Sequence, residues 1–527
     1  MGAAVARGRP GLSPALLGLL PLGFLAVFFA WPVAAIVRRG LDGDALAVLA
    51  EGQTWALVGF TVGQAAAATA VAVLAGMPVA FLLARVRLPG AAVVRALVLV
   101  PFVLPTVVVG LAFRSLMGGG VLAIVLANAF FNVAVVARTV GGLWAHLDRR
   151  AEDAARSLGA SRLRTFTSVT LPALTPALGS AAAVVFLFCA TSFGVVLLLG
   201  GARHRTLETE IYLRTVELLD LSGAAALSLL QVAAVVAVLV LGARARRRRE
   251  SALALRPRAE GTRGPSGGEW WVVGAAGVVL ALLVAPIASL VVRSFDGGFA
   301  GYAALSGTGF RGSLSVTGWE AAMNSLRAAT DATVLALVLG ISASVALVAL
   351  RRARFVDALD TALMLPLGVS AVTVGFGYLI TLDALPGDLR TSAALVPLAQ
   401  ALVVTPLVVR LVLPVLRSID ERLRQAAASL GAGPWRVWRE VDLPLAARSL
   451  LAAAGFGYVV ALGEFGATSF LARPDTATLP VVIGRLVARP GELNAQMAYA
   501  ACTLLMLVTV AVVLVVERLR AGELGEF

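Results

Sequence analysis

Few side chains in this 527-residue sequence could do covalent chemistry, and their spacing argues against most of it. His146 and His204 are too few and too separated for a zinc site, and Cys189 and Cys502 lack any paired spacing. Both cysteines fall inside apolar runs, where a thiol packs as a small hydrophobe. A phosphate-binding loop needs a lysine that reaches the nucleotide phosphates, and every one of the 44 basic residues is arginine. The chain is therefore not expected to be an enzyme or to bind a cofactor; if ATP drives it, another protein carries the ATPase. Glu464 is the acidic side chain of most interest, because a carboxylate at membrane depth is costly and usually functional. Three fates are open to it: facing a cationic cargo along a pathway, lying in water at a helix end, or making a local hydrogen bond. Asn132, inside another apolar run, either lines such a pathway or bonds to a neighbouring helix.

The strongest pattern is mechanical. The polar block Leu147–Pro172 returns as Ile419–Pro444, 272 residues on (147 to 419). The phase holds through Asp148/Asp420, Ala154/Ala426, Ala155/Ala427, Gly159/Gly431, Arg164/Arg436 and Leu171-Pro172/Leu443-Pro444. It persists outside the block at Arg138/Arg410, Phe193/Phe465, Gly194/Gly466 and Thr206/Thr478. So long a period means a duplicated domain, not a solenoid. Within each block the alanine-rich stretches Ala151–Leu158 and Leu423–Leu430 predict a short helix, stopped by Gly159 or Gly431. A second short helix should start at Ser161, an N-cap residue, or at Pro434, suited to a first helical turn. It carries Leu163, Phe166 and Val169, or Trp435, Trp438 and Val441, at spacings that put each trio on one face. Leu171-Pro172 and Leu443-Pro444 are expected to end it. A single amphipathic turn would only anchor a loop at the membrane surface. A matched pair, with aromatic knobs at Phe166 and Trp438, suits a partner with two equivalent sockets.

The elements that must position these blocks are membrane helices. Residues are 59% hydrophobic and 14% charged, against roughly 25% charged in soluble domains. Apolar runs of about 20 residues recur, as bilayer spans require. Twelve are expected, six per half, including Ala91–Phe113, Val121–Ala137, Ala173–Leu199, Ala362–Leu382, Ala393–Val409 and Leu450–Phe470. Pro21, Pro78, Pro105 and Pro366 suggest kinks within spans. The fold class is thus an all-α integral membrane protein: a first half over 1–243, an Arg/Pro/Gly linker over 244–270, and a second half over 271–527. With the N-terminus cytoplasmic, most arginines fall on the inside, including Arg246–Arg249, Arg351, Arg352 and Arg354. The net charge of +14 then has a membrane explanation, and no nucleic-acid partner is expected because no soluble basic face is evident. A twelve-span secondary transporter would also have repeated halves, but it needs ion-coupling polar residues at mid-membrane, which are sparse.

The block itself resembles a family signature, E-A-A-x3-G-x9-I-x-L-P, of the inner-membrane permease subunits of binding-protein-dependent ABC importers of type I. Asp153-Ala154-Ala155, Gly159, Val169 and Leu171-Pro172 match it in the first half. Gln425-Ala426-Ala427, Gly431, Val441 and Leu443-Pro444 match it in the second. Neither half keeps the leading glutamate, and valine replaces isoleucine in both. The resemblance implies tandem six-helix permease domains in the cell membrane and two copies of an ABC ATPase subunit that bind ATP and Mg. It further implies an extracytoplasmic substrate-binding protein, and coupling helices at these two loops. The fused double length, Phe193-Gly194 before GGARHRTLETEIY, and Gly463-Glu464-Phe465-Gly466 before RPDTATLPVVIGRL are similar to thiamine and iron(III) permeases. That likeness implies thiamine or iron(III) as cargo.

Overall fold

The computed structural model describes residues 14–87, 90–247, 264–265, 267–350, 353–381 and 392–521. Most of the interhalf linker, and with it Arg248 and Arg249, lies outside the described residues, as do Arg351 and Arg352. Among the described residues ten helices are long and apolar enough to cross a membrane, and twelve spans result when two sharply bent helix pairs each count as one. The fold is all-α and multi-span.

Both bends fall at or just after prolines where kinks are expected, Pro105 and Pro366, and they are full breaks in the helix. The third span breaks into Ala91–Val103 and Thr106–Met117, at 99° to one another. The ninth breaks between Leu365–Gly368, a tight 3-10 turn, and Ala371–Thr381, with a bend of 95°. In the first case the ring of Pro105 disfavours helical backbone at Leu104, which is extended at ψ 139°. In the second, Val369 is extended and Ser370 restarts the helix, its Oγ accepting from Thr373 N–H at 3.0 Å. Irregular backbone at membrane depth is tolerated where protein covers it. Accordingly, Val107–Phe113 and Val372–Tyr378 are buried throughout. Pro78, by contrast, stays inside an unbroken helix, Gly52–Arg85.

The fourth and tenth spans run longer than their apolar cores suggest, as Val121–His146 and Leu395–Ser418, because helix continues past Arg138 and Arg410. The second span, Gly52–Arg85, has 34 residues, about 51 Å at 1.5 Å per residue. That exceeds the roughly 30 Å of bilayer hydrocarbon, so Arg85 can reach the polar loops. It packs on the fourth span through small residues: a Cβ on Gly76 would lie 2.6 Å from Val136. Gly340 meets Val408 in the same way, at 2.5 Å. Close backbone approach of this kind replaces the hydrophobic driving force that lipid removes.

Two compact units result, each drawing on both halves of the chain. One contains residues 1–35, 323–473 and 511–527; the other contains 36–322 and 474–510. In the first, Leu25 and Phe29 of the opening span join a core with Leu359, Leu363, Tyr378 and Val396. In the second, the seventh span, Glu269–Ser294, meets the third through Ser289 and Ser115, whose hydroxyls lie 3.1 Å apart. The same unit holds two ten-residue helices 272 residues apart (207 to 479), Leu207–Val216 and Leu479–Ala488.

Candidate functional site

Each polar block folds as a short helix, a glycine turn and a long helix. The short helices are Arg150–Ser157 and Glu421–Ser429. Asp148 and Asp420 open them: Oδ1 accepts from Arg150 N–H at 3.0 Å and from Arg422 N–H at 2.9 Å, relieving backbone donors that helix geometry leaves unpaired. Both close on the same glycine motif. Gly159 has φ +84° and Gly431 φ +85°, a left-handed backbone that glycine adopts without a Cβ penalty. The N–H of Ala160 then reaches Ala155 O at 3.0 Å and that of Gly159 reaches Arg156 O at 2.9 Å. Ala432 N–H to Ala427 O and Gly431 N–H to Ala428 O repeat the pattern at 3.0 Å each. These are the two bonds of the Schellman motif. Ala155 and Ala427 thus supply carbonyls to the turn, while Asp153, Ala154, Gln425 and Ala426 face solvent.

Beyond the turn, the chain departs from the expected short surface helix. Ser161 does cap the next helix, Oγ accepting from Arg164 N–H at 3.3 Å. That helix does not stop at Leu-Pro, however. It runs from Arg162 to Ala190, and in the second block from Pro434 to Gly463, directly into the fifth and eleventh spans. A π-helical turn precedes each Leu-Pro, over Phe166–Thr170 and Trp438–Asp442. Proline lacks an N–H and its ring collides with the carbonyl four residues back; a wider turn there lets the helix pass through Pro172 and Pro444. The single apolar face expected for each trio is divided. Phe166 turns inward to Trp144, ring centroids 6.1 Å apart, and Trp438 is half-buried, whereas Leu163 and Trp435 are 73% and 74% exposed. Leu158 and Leu430, just before the glycines, are 89% exposed. The most exposed apolar side chains are therefore Leu158 and Leu163 in one block and Leu430 and Trp435 in the other, each pair 272 apart (158 to 430, 163 to 435), with Leu423 and Leu443 of the second block exposed to a lesser degree.

A second set of residues is not marked in the sequence. Glu152 accepts from Thr170 Oγ1 at 2.9 Å and from Arg85 Nη2 at 3.1 Å, and Arg149 donates to Arg85 O at 3.1 Å. Arg85 is buried. In the other block Arg424 donates to Asp442 at 2.8 Å, to Glu421 at 2.9 Å and to Leu416 O at 2.9 Å. Burial alone would lower the Arg424 pKa, but hydrogen bonds to Glu421 and Asp442 outweigh it and hold the group above its ordinary value. Positions 152 and 170 correspond to 424 and 442 at the same offset. Their residue types differ, so a search for identical residues passes over them.

The two pathway candidates are both buried. Glu464 accepts from Ala467 N–H at 2.8 Å, from Thr468 N–H at 3.0 Å and from the Thr468 hydroxyl, so it caps the short helix Thr468–Leu471. Asn132 donates to Asn128 O at 2.8 Å and to Cys189 Sγ at 3.5 Å. Ser192, which aligns with Glu464, donates to Asn128 Oδ1 at 2.7 Å, and Asn128 donates to Gln64 Oε1 at 3.0 Å. Removing one capping oxygen from Glu464 should cost about 1–2 kcal/mol. Glu464→Gln is accordingly expected to lower the unfolding temperature in detergent while leaving the substrate concentration for half-maximal uptake unchanged. A shifted uptake curve at unaltered stability would place it on the pathway. Among the described residues no three His, Cys, Asp or Glu side chains are grouped to hold a metal ion.

The comparisons with known proteins point one way. The family profile described as "Binding-protein-dependent transport system inner membrane component" matches residues 72–250 and 346–520. The chain is 26% identical to the thiamine transport system permease protein of Brucella abortus (strain 2308), across 100% of both chains. It is 25% identical to the thiamine permease of Escherichia coli (strain K12), over 88% of this chain and 90% of that one. The molybdenum transport system permease protein of Mycobacterium bovis is 36% identical over 42% of this chain and 90% of its own.

Proposed function

Because the chain belongs to the family of binding-protein-dependent transport system inner membrane components, whose profile covers two stretches of it, we propose that it is the whole permease of an ATP-driven importer. It acts as two tandem type I permease domains, and a twelve-span secondary transporter is the reading set aside. The observation that carries this is the repetition of one geometry: short helix, left-handed glycine and exposed leucine, at Leu158-Gly159 and again at Leu430-Gly431. On this reading each exposed patch docks in one of two identical ATPase subunits. Those subunits bind ATP and Mg. Their closure moves the short helices Arg150–Ser157 and Glu421–Ser429, and the unbroken helices beyond the glycines carry that movement into the fifth and eleventh spans. An extracytoplasmic binding protein delivers the cargo, and the spans pass it to the cytoplasm by alternating access, each state favoured by its own ligands.

Thiamine is the cargo that the similarities favour over iron(III), because relatives of that description align with all or nearly nine-tenths of the chain. Similarity over less than half of the chain to a molybdenum transport system permease protein supports the family mechanism more than the cargo. The test is reconstitution of the chain in proteoliposomes with the ATPase and binding protein that co-purify with it, followed by uptake of labelled thiamine, ferric ion and molybdate. ATP-dependent thiamine uptake is expected. Uptake of another of the three would replace the cargo, and recovery of no ATPase after mild crosslinking would overturn the importer reading.

A further inference from the structure

The residues at 152/170 and 424/442 stand at equivalent positions with opposite chemistry. In the first block the short helix contributes a carboxylate, Glu152, to the last residue of the π turn, Thr170, and takes its cation from the end of the second span, Arg85. In the second block the short helix contributes the cation itself, Arg424, and the last residue of the π turn contributes the carboxylate, Asp442. The missing partner is accounted for. Gly76 and Gly340 pack on Val136 and Val408, which are 272 apart, so the second and eighth spans align at 264 (76 to 340). The counterpart of Arg85 is then Ala349, which carries no charge. Each arrangement is completed by an arginine on a neighbouring span-end carbonyl: Arg149 on Arg85 O, and Arg424 on Leu416 O.

Matched placement with exchanged charge is what a mechanical tie requires. A tie needs complementary partners at two fixed points, and either point can supply either sign. Both ties end on the residue before Leu-Pro, where the π turn hands over to regular helix. The Schellman turn fixes the short helix to the long one through a single glycine hinge, which resists bending poorly. The Thr170 hydrogen bond to Glu152 in the first block and the Arg424–Asp442 ion pair in the second add a second attachment about two turns further along the long helix; the Glu152–Arg85 ion pair also joins the first short helix to the end of the second span. Two attachments make a lever out of a hinge.

We propose that Glu152–Thr170–Arg85 and Arg424–Asp442 are charge-swapped straps. Each locks a short helix to the base of the following span, so that a push on the helix moves the span instead of flexing the glycine. The residues are positioning residues, and their role in transport rests on the importer reading above; the strap itself is testable without it. In the full-length protein in nanodiscs, Glu152→Arg sets two guanidinium groups against each other. Amide exchange across Arg150–Ser157 should then rise about tenfold as the helix loosens. The triple variant Glu152→Arg/Thr170→Asp/Arg85→Ala writes the second block's chemistry into the first and should return exchange to the wild-type rate. Asp442→Ala should loosen Glu421–Ser429 in parallel, providing an independent reading if the first-block variants fold poorly. Unchanged exchange in Glu152→Arg and in Asp442→Ala, or a triple variant as loose as the single one, would overturn the straps. With the ATPase bound, Glu152→Arg should deliver about tenfold less substrate per ATP at an unaltered hydrolysis rate, and the triple variant should recover it. Loosened exchange with full substrate delivered per ATP would confine the straps to a structural role. Failure of the wild-type chain to bind any ATPase would refute the importer reading and leave the exchange result standing.

Discussion

Gly159→Val and Gly431→Val are expected to let the associated ATPase hydrolyse ATP while substrate delivery falls about tenfold or more. The argument is one of backbone, not of space. Nothing lies within 4 Å of where a Cβ would stand at either glycine, so a side chain meets no obstacle. The obstacle is φ, +84° and +85°, where an L-residue costs roughly 1–2 kcal/mol and a β-branched residue is a genuine outlier. The chain can escape only by surrendering the bonds from Ala160 to Ala155 and from Ala432 to Ala427. The short helix then points elsewhere and delivers its movement in the wrong direction. Because the cost is conformational, it should be graded. Asn tolerates the left-handed region and should be mildest, Ala intermediate, Val worst. Both variants should still insert, since the turn is exposed and the spans are untouched. Parallel hydrolysis and uptake assays in proteoliposomes check this, and wild-type uptake by both valine variants would reject it.

Leu158→Asp combined with Leu430→Asp is expected to abolish co-purification of the ATPase, each single variant giving an intermediate yield. Both leucines are 89% exposed and contribute nothing to the protein's own core, so a stability loss does not confuse the result. A buried apolar anchor at an interface is worth about 2 kcal/mol or more when removed, close to thirtyfold in affinity per site. Aspartate adds the cost of burying an unpaired charge. Two equivalent sockets make the losses compound through avidity. Trp435→Ala should act in the same direction. Trp438→Ala is a poorer probe, because Trp438 is half-buried and its loss also disturbs the π turn. Undiminished ATPase recovery with the double variant would place the docking surface elsewhere.

The sequence carries some of this plainly and some not at all. Short-range devices are legible because their causes lie within a few residues: Ser161 capping one helix, a glycine ending the one before it. The membrane-crossing runs are legible because apolar length is a local property: twelve are expected, and among the described residues there are ten such helices, or twelve with each bent pair taken as one. Their shapes are legible only in part. Pro105 and Pro366 mark where the third and ninth spans bend, but Pro78 sits in an unbroken helix, and the angles of 99° and 95° depend on buried surroundings that excuse broken backbone. Continuation of helix through Leu171-Pro172 and Leu443-Pro444 is hidden because proline's usual effect is to stop a helix, and a π turn that absorbs it has no sequence mark. Glu464 shows the same limit. Its cost at membrane depth is evident, but whether water, cargo or a neighbouring helix end meets it is set by where the chain returns after Gly463.

By itself the sequence determined the membrane class, the absence of a lysine-dependent nucleotide site, and a pair of polar blocks with the same turn at the same offset. Composition, residue identity and spacing suffice for these, because each follows from transfer energy or from backbone sterics over a few residues. The tertiary structure decided which side chains of those blocks stay exposed, how the third and ninth spans break, and what ties each short helix to its span. Those outcomes depend on residues brought together from far along the chain, such as Arg85 with Glu152, where hydrogen-bond geometry requires complementary partners but leaves open which position supplies the charge.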